Sequence, residues 1–218
     1  MLSGFLLIYT LFYAIIIYLP YSDLLQEYPV HLTFAQLRER PAIRIVENIT
    51  DYTVDRTVEA ITKLPATTTK LVVYVSSNGG GVENGLGLHD LIRLTHESGI
   101  DVVMLATGKC HSTATWLMTA VPVENRYATR HARFLVHPVS IEIASQTMEL
   151  KPTRPDFYKP EDTHAPRIAE AYTLQETMRE LFIKHTELLD TDLDRLFTGD
   201  NYFGASQARA YGLIGHVL

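Results

Sequence analysis

LVVYVSSNGGGVENGLGLHDLIRLTHESGIDVVMLAT, residues 71–107, decides the fold. LVVYVS at 71–76 is a continuous apolar run rich in β-branched residues, as expected of a strand buried on both faces. Gly79, Gly80 and Gly81 break it. A helix is predicted from about Glu83 to Glu97, with Gly99 as the glycine just past its end. DVVMLAT at 101–107 is a second buried strand. Strand, glycine turn, helix and strand form a parallel unit, so the class is α/β with helices on both faces of a parallel-rich sheet. Function in such folds gathers in loops beyond the strand ends.

The neighbouring sequence extends the pattern. AIRIVENI at 42–49 alternates with a strand period. TVDRTVEAITKL at 53–64 places Val54, Val58 and Ile61 on one helical face. Residues 112–121 read as an apolar helix, and RYAT at 126–129 and RFLVH at 133–137 as short strands. SIEIAS and MELKP are predicted to pair as a hairpin across Gln146-Thr147, after which Pro152, Pro155 and Pro160 forbid regular helix. A long amphipathic helix is predicted from about Ala165 to Leu188, carrying Leu174, Met178, Leu181, Phe182 and His185 on related turns, its charges forming a solvated face. DTDLDRLF, capped by Asp190 or Thr191, and ASQARAYG, ended by Gly212, give two last short helices.

Composition narrows the function. The 218 residues suffice for one sizeable domain, and 46% hydrophobic with 20% charged residues is an ordinary globular mix. A net charge of −6 with no Lys/Arg cluster gives nucleic-acid binding no electrostatic support. The single cysteine, Cys110, excludes an internal disulfide framework and a cysteine-based zinc site. The histidines show no paired ligand spacing, so no metal is expected.

The N-terminus stands apart. LSGFLLIYTLFYAIIIYL, residues 2–19, carries no charge. As a helix it would span roughly 27 Å, close to the hydrocarbon thickness of a bilayer. Tyr18 and Tyr21 suit one membrane interface. A cleaved secretory signal is the competing reading, but no basic n-region or A-x-A site is present. A buried or partner-bound helix is the third. Residues 1–21 are therefore expected to form a transmembrane or signal-anchor helix, with 22–41 a polar connector holding a short helix before Pro41. The expected location is a single-pass membrane protein with its domain outside the cytoplasm, or a secreted one after signal cleavage. The flanking charges bear on that orientation only weakly.

Three chemical groups stand in a suggestive order. Ser112 lies in GKCHSTATWLMTA after the second buried strand, His137 ends RFLVH, and Asp200 lies in TGDNYFG. A hydroxyl needs a base to take its proton, an acid to orient that base and backbone donors for an oxyanion. Each residue also has a plainer reading: Ser112 as a helix N-cap, His137 as a satisfied core histidine, Asp200 as a turn residue. Cys110 is a rival nucleophile on paper, though a single near-buried cysteine is usually a small hydrophobe. The glycine cluster lacks the phosphate-loop pattern G-x-x-x-x-G-K-[ST].

From about Ile43 onward the chain resembles the ClpP family of serine peptidases, within the wider ClpP/crotonase fold. VYVSSNGGGVENGLGLHD (73–90) is similar to the family's strand, glycine turn and helix, with Asn78 where proline is usual. GKCHSTATWLMTA looks like the family's Gly-x-x-x-Ser segment, with Ala114 replacing a frequent glycine and His111 an unusual neighbour. The likeness runs without a gap from Ser112 to His137, including Arg126 and Arg133. It resumes from His185 to Gly215, where Asp200, Ala208, Tyr211, Gly212 and Leu213 fit. The resemblance implies a repeated β-β-α spiral over 42–218, Ser112 as nucleophile, His137 as base, Asp200 as its orienting acid, and the Gly80 and Thr113 N–H groups as oxyanion hole. It also implies a peptide or protein substrate, self-association, and no cofactor; any separate ATPase or adaptor is undetermined. Residues 138–163 form a divergent insertion without glycine where the family has a glycine-rich, peptide-binding strand. Two alternatives remain: a catalytically silent interaction module built on the same fold, and a crotonase-like acyl-CoA enzyme.

Overall fold

The computed structural model describes residues 31–152 and 163–218. The apolar segment 2–19, connector residues 22–30, and Pro155 and Pro160 lie outside the described residues. Helix α1 (Phe34–Arg38) opens the described chain, capped by Thr33 and Gln36, each accepting the other's backbone N–H. Strand β1 (Ala42–Ile45), helix α2 (Asp51–Thr62), strand β2 (Lys70–Ser77), helix α3 (Val82–Glu97) and strand β3 (Asp101–His111) follow as two strand–helix–strand units. Gly99, at φ +97°, takes the left-handed position just past α3.

β1, β2 and β3 pair in parallel, as expected from the uninterrupted apolar runs of β2 and β3. β3 runs four residues past the expected Thr107 and serves two partners. Its first half pairs with β4 (Arg126–Ala128) through Met104–Ala106, its second with β5 (Arg133–Val136) through Lys109–His111. Between these halves the chain passes Gly108 at φ +75°. β8 (Asn201–Gly204) runs antiparallel on β5, and β9 (His216–Val217) adds parallel to β4.

Leu71, Val73, Val75, Val102, Met104 and Ala106 face the main core, joined by Leu88 and Ile92 of α3 and Trp116 and Leu117 of α4 (Thr113–Leu117). The alternating residues Val72, Val103 and Leu105 are equally buried on the opposite face. Leu37 of α1 is fully buried too. Arg40, just past α1, ties that end to β3 through the Asp101 carboxylate at 2.9 Å and its carbonyl at 2.9 Å. The Met178 and Phe182 side chains of α5 (Ala165–His185) join the main core, as do Leu193 and Leu196 of α6 (Asp190–Leu196) and Ala208 of α7 (Ala205–Ala210). No helix among the described residues is long and apolar enough to cross a membrane.

Several local expectations are corrected. The strand at 42–49 ends at Ile45: Glu47 O accepts the Ser77 hydroxyl, and Ile49 is left as an isolated bridge to Gly80. On α2 the buried face carries Thr53 and Thr57, not Val58, which is exposed. Both hydroxyls bond carbonyls, to Asn48 and Thr53 respectively, and so enter the interior satisfied. The predicted hairpin exists as β6 (Ser140–Ile143) and β7 (Gln146–Glu149), but its turn is Ala144-Ser145. Pairing of Ile143 with Gln146 puts Ile141 and Met148 opposite one another, and both pack on the core. Leu189, rather than Asp190 or Thr191, occupies the N-cap of α6, and its N–H donates to the Asp192 carboxylate.

Candidate active site

Strand register assembles the site. Ser112 directly follows β3, and its N–H donates to Leu135 O of β5 at 2.8 Å. His137 directly follows β5. The antiparallel β5–β8 pairing ends at Val136↔Asn201, so His137 and Asp200 are the residues flanking its last pair. Residues remote in sequence thus meet at one corner of the sheet.

Ser112 stands at the N-cap of α4 but makes no side-chain cap bond. Its φ of +54° and ψ of −126° are rare for a residue with a Cβ. This bend turns Oγ toward His137, with Oγ and Nε2 2.7 Å apart. For Nε2 to accept the hydroxyl proton, the ring's own proton must sit on Nδ1, the atom a carboxylate would bind. Ser112 thus leaves its helix uncapped, and His137 is half-buried rather than a core residue.

Asp200 is brought to the same corner but is not joined to the pair. It is exposed, and no hydrogen bond among the described residues links it to His137. The pKa of His111 is lowered by burial, then by Lys109 and Arg133, against the opposing pull of Asp200. His111 stands edge-on to Tyr202 at 5.6 Å, with Nε2 buried and without a partner among the described residues.

The proposed oxyanion donors adjoin the serine. Thr113 is the first residue of α4, where N–H groups have no intrahelical acceptor. Its hydroxyl donates to Gly80 O at 2.9 Å, tying the two donor segments together. Gly80 is dictated by close approach, since a Cβ there would lie 2.0 Å from Ile49 O. The main chain of Ile49 takes Gly79 O and Gly81 N–H on either side, leaving the Gly80 N–H outside that pairing. Gly85 of α3 lets α4 come close: a Cβ there would stand 2.0 Å from Thr113 Cγ2.

Sequence reasoning missed Thr115. Its hydroxyl lies 2.6 Å from Cys110 O and 2.8 Å from Leu135 O, bracing the bend on both strands. A buried threonine three residues past a serine carries no signal of that role. Cys110 is excluded as a nucleophile: it is fully buried, burial pushes its thiol pKa up, and Sγ points to Ala114 O at 3.1 Å.

The Clp protease family model matches residues 26–218, and the chain belongs to that family. It is 32% identical over 152 residues to the ATP-dependent Clp protease proteolytic subunit 3 of Streptomyces coelicolor, covering 69% of this chain and 61% of that protein. It is 29% identical over 150 residues to proteolytic subunit 2 of Rhodococcus jostii, covering 67% and 66% respectively. Proteolytic subunit 1 of Corynebacterium jeikeium is 28% identical over 155 residues, covering 69% and 71%. The chain thus spans about three fifths of the length of the Streptomyces relative it matches.

Proposed function

We propose that this chain is a ClpP-like serine endopeptidase. The observation that carries the reading is the 2.7 Å contact between Ser112 Oγ and His137 Nε2 beside the Gly80 and Thr113 amides. In this reaction Oγ attacks a peptide carbonyl while Nε2 takes its proton. The carbonyl oxygen becomes an oxyanion held by the two N–H groups, each worth roughly 3 kcal/mol to the transition state. His137 then protonates the leaving amine, and water, deprotonated by the same ring, releases the acyl group. Asp200 serves as the acid once its carboxylate turns to Nδ1. No cofactor takes part, and the substrate is a peptide or protein.

Residues 2–19 act as a single membrane anchor, with the catalytic domain outside the cytoplasm. The charge-free length of that segment supports this reading. The names of the relatives support self-association and an ATP-dependent partner on a separate chain.

A fluorophosphonate probe tests the chemistry without knowledge of the substrate. Wild type should be labelled at Ser112 and Ser112→Ala should not. Failure of the folded wild type to label would sink the peptidase reading and favour a silent interaction module, which the exposed Asp200 also suits. Acyl-CoA binding in a thermal-shift assay would instead favour crotonase-like chemistry. Deleting residues 1–21 should move the protein from membranes to the soluble fraction; retention in membranes would refute the anchor.

A further inference from the structure

α5 buries an apolar stripe of Ile168, Ala171, Tyr172, Met178 and Phe182, interrupted by Gln175 and Arg179. Gln175 is fully buried, where a leucine would serve packing as well. Its amide is not idle. Oε1 accepts the Val139 N–H at 2.9 Å, and Nε2 donates to Lys151 O at 2.8 Å. One partner can only donate and the other only accept, so the amide has a single orientation. Val139 and Lys151 are the two roots of the β6–β7 hairpin, themselves closed by Leu150 N–H donating to Val139 O at 2.8 Å. One side chain therefore fastens both roots of this hairpin.

Val139 is also two residues past His137, with only Pro138 between, whose ring restricts φ and which has no N–H to donate. Upstream, Val136 is held by its pairing with Asn201. His137 thus sits on a short bridge between two pinned points. Gln175 provides the downstream pin.

We propose that Gln175 is a positioning residue that holds the His137 ring at Ser112 through the main chain of Val139. This rests on reading Ser112 and His137 as the reacting pair. Without the amide, the buried Val139 N–H loses its acceptor and the Lys151 C=O its donor, and that stretch must shift to recover them. Tyr172 supplies an internal control. Its hydroxyl accepts the Lys151 N–H at 3.3 Å, a bond made at the far root of the hairpin.

The test uses the full chain with 15N-labelled histidine, in wild type, Gln175→Met and Tyr172→Phe, each with and without Ser112→Ala. The readout is the Nε2 chemical shift of His137, which reports the hydrogen bond directly and needs no turnover. In wild type and Tyr172→Phe, removing the serine hydroxyl should move that shift. In Gln175→Met the shift should already be displaced and should no longer respond. Fluorophosphonate labelling per folded molecule should fall roughly ten- to hundredfold in Gln175→Met, as expected for a misplaced base, and stay near wild type in Tyr172→Phe. Should Gln175→Met not fold, Gln175→Asn keeps the amide one methylene too short to reach both roots and should show the same lost response. A folded Gln175 variant whose His137 still responds to Ser112→Ala overturns the proposal. An unlabelled wild type in which the response still depends on Gln175 sustains the positioning role while refuting the peptidase reading.

Discussion

Ser112 occupies a helix-capping position, yet its hydroxyl leaves the helix uncapped and bonds an imidazole from another strand. Its positive φ costs on the order of 1–3 kcal/mol unless the surroundings enforce it. Thr115 is that enforcement, its hydroxyl reaching the carbonyls of both flanking strands. Thr115→Val keeps the shape and removes the hydroxyl that Cys110 O and Leu135 O share, while Leu135 O retains the Ser112 N–H, so unfolding by denaturant should show a loss of about 1 kcal/mol. Asp200→Asn preserves volume and removes the charge. Fluorophosphonate labelling should slow roughly 10- to 1000-fold if the carboxylate orients His137; an unchanged rate would remove Asp200 from the mechanism.

Elements meet here through residues chosen for what they lack. Gly85 is poor for the middle of α3, at a cost of about 1 kcal/mol relative to alanine in an exposed helix. It is retained because α4 lies where a methyl would be. Gly85→Ala should therefore lower stability by about 1–3 kcal/mol through overpacking. It should also slow labelling, because the displaced residue is Thr113. The β6–β7 hairpin shows the opposite economy. Its turn holds Ala144 at φ +50° and Ser145 at φ +62°, two residues poorly suited to that region. Replacing them with Asn-Gly, which the turn geometry favours, should raise stability by about 1 kcal/mol, read as a higher melting temperature. The hairpin itself was legible from alternation in SIEIAS, but its turn was not, because register followed from which side chains reach the core.

Across the whole molecule, buried histidines link stability to pH. His89 of α3 is 3% exposed beside Trp116, facing Thr119, with Asp90, Arg93 and His185 as charged or titratable neighbours. Burial pushes its pKa down to about 4, against the pull of Asp90. The unfolded chain takes up that proton near pH 6.5, the folded chain only near 4, so the unfolded state binds more protons between them. Stability should thus be level above about pH 6.5 and fall by roughly 3 kcal/mol as pH drops toward 4. Burial lowers His111 and His185 in the same direction, steepening the slope. Urea unfolding at successive pH values measures it, and His89→Gln should flatten part of the curve.

The sequence by itself determined the alternation of strands and helices and the parallel core, consequences of local periodicity and of glycines that only certain backbone paths need. It marked Ser112, His137 and Asp200 through their likeness to the family's motifs. Tertiary structure alone decided that Ser112 turns away from its helix to meet His137, that Thr115 and Gln175 brace that meeting, and that Asp200 stands beside the pair without bonding it. A hydrogen bond between strands depends on register and on bends of a few degrees, and neither is written in the period of any one segment.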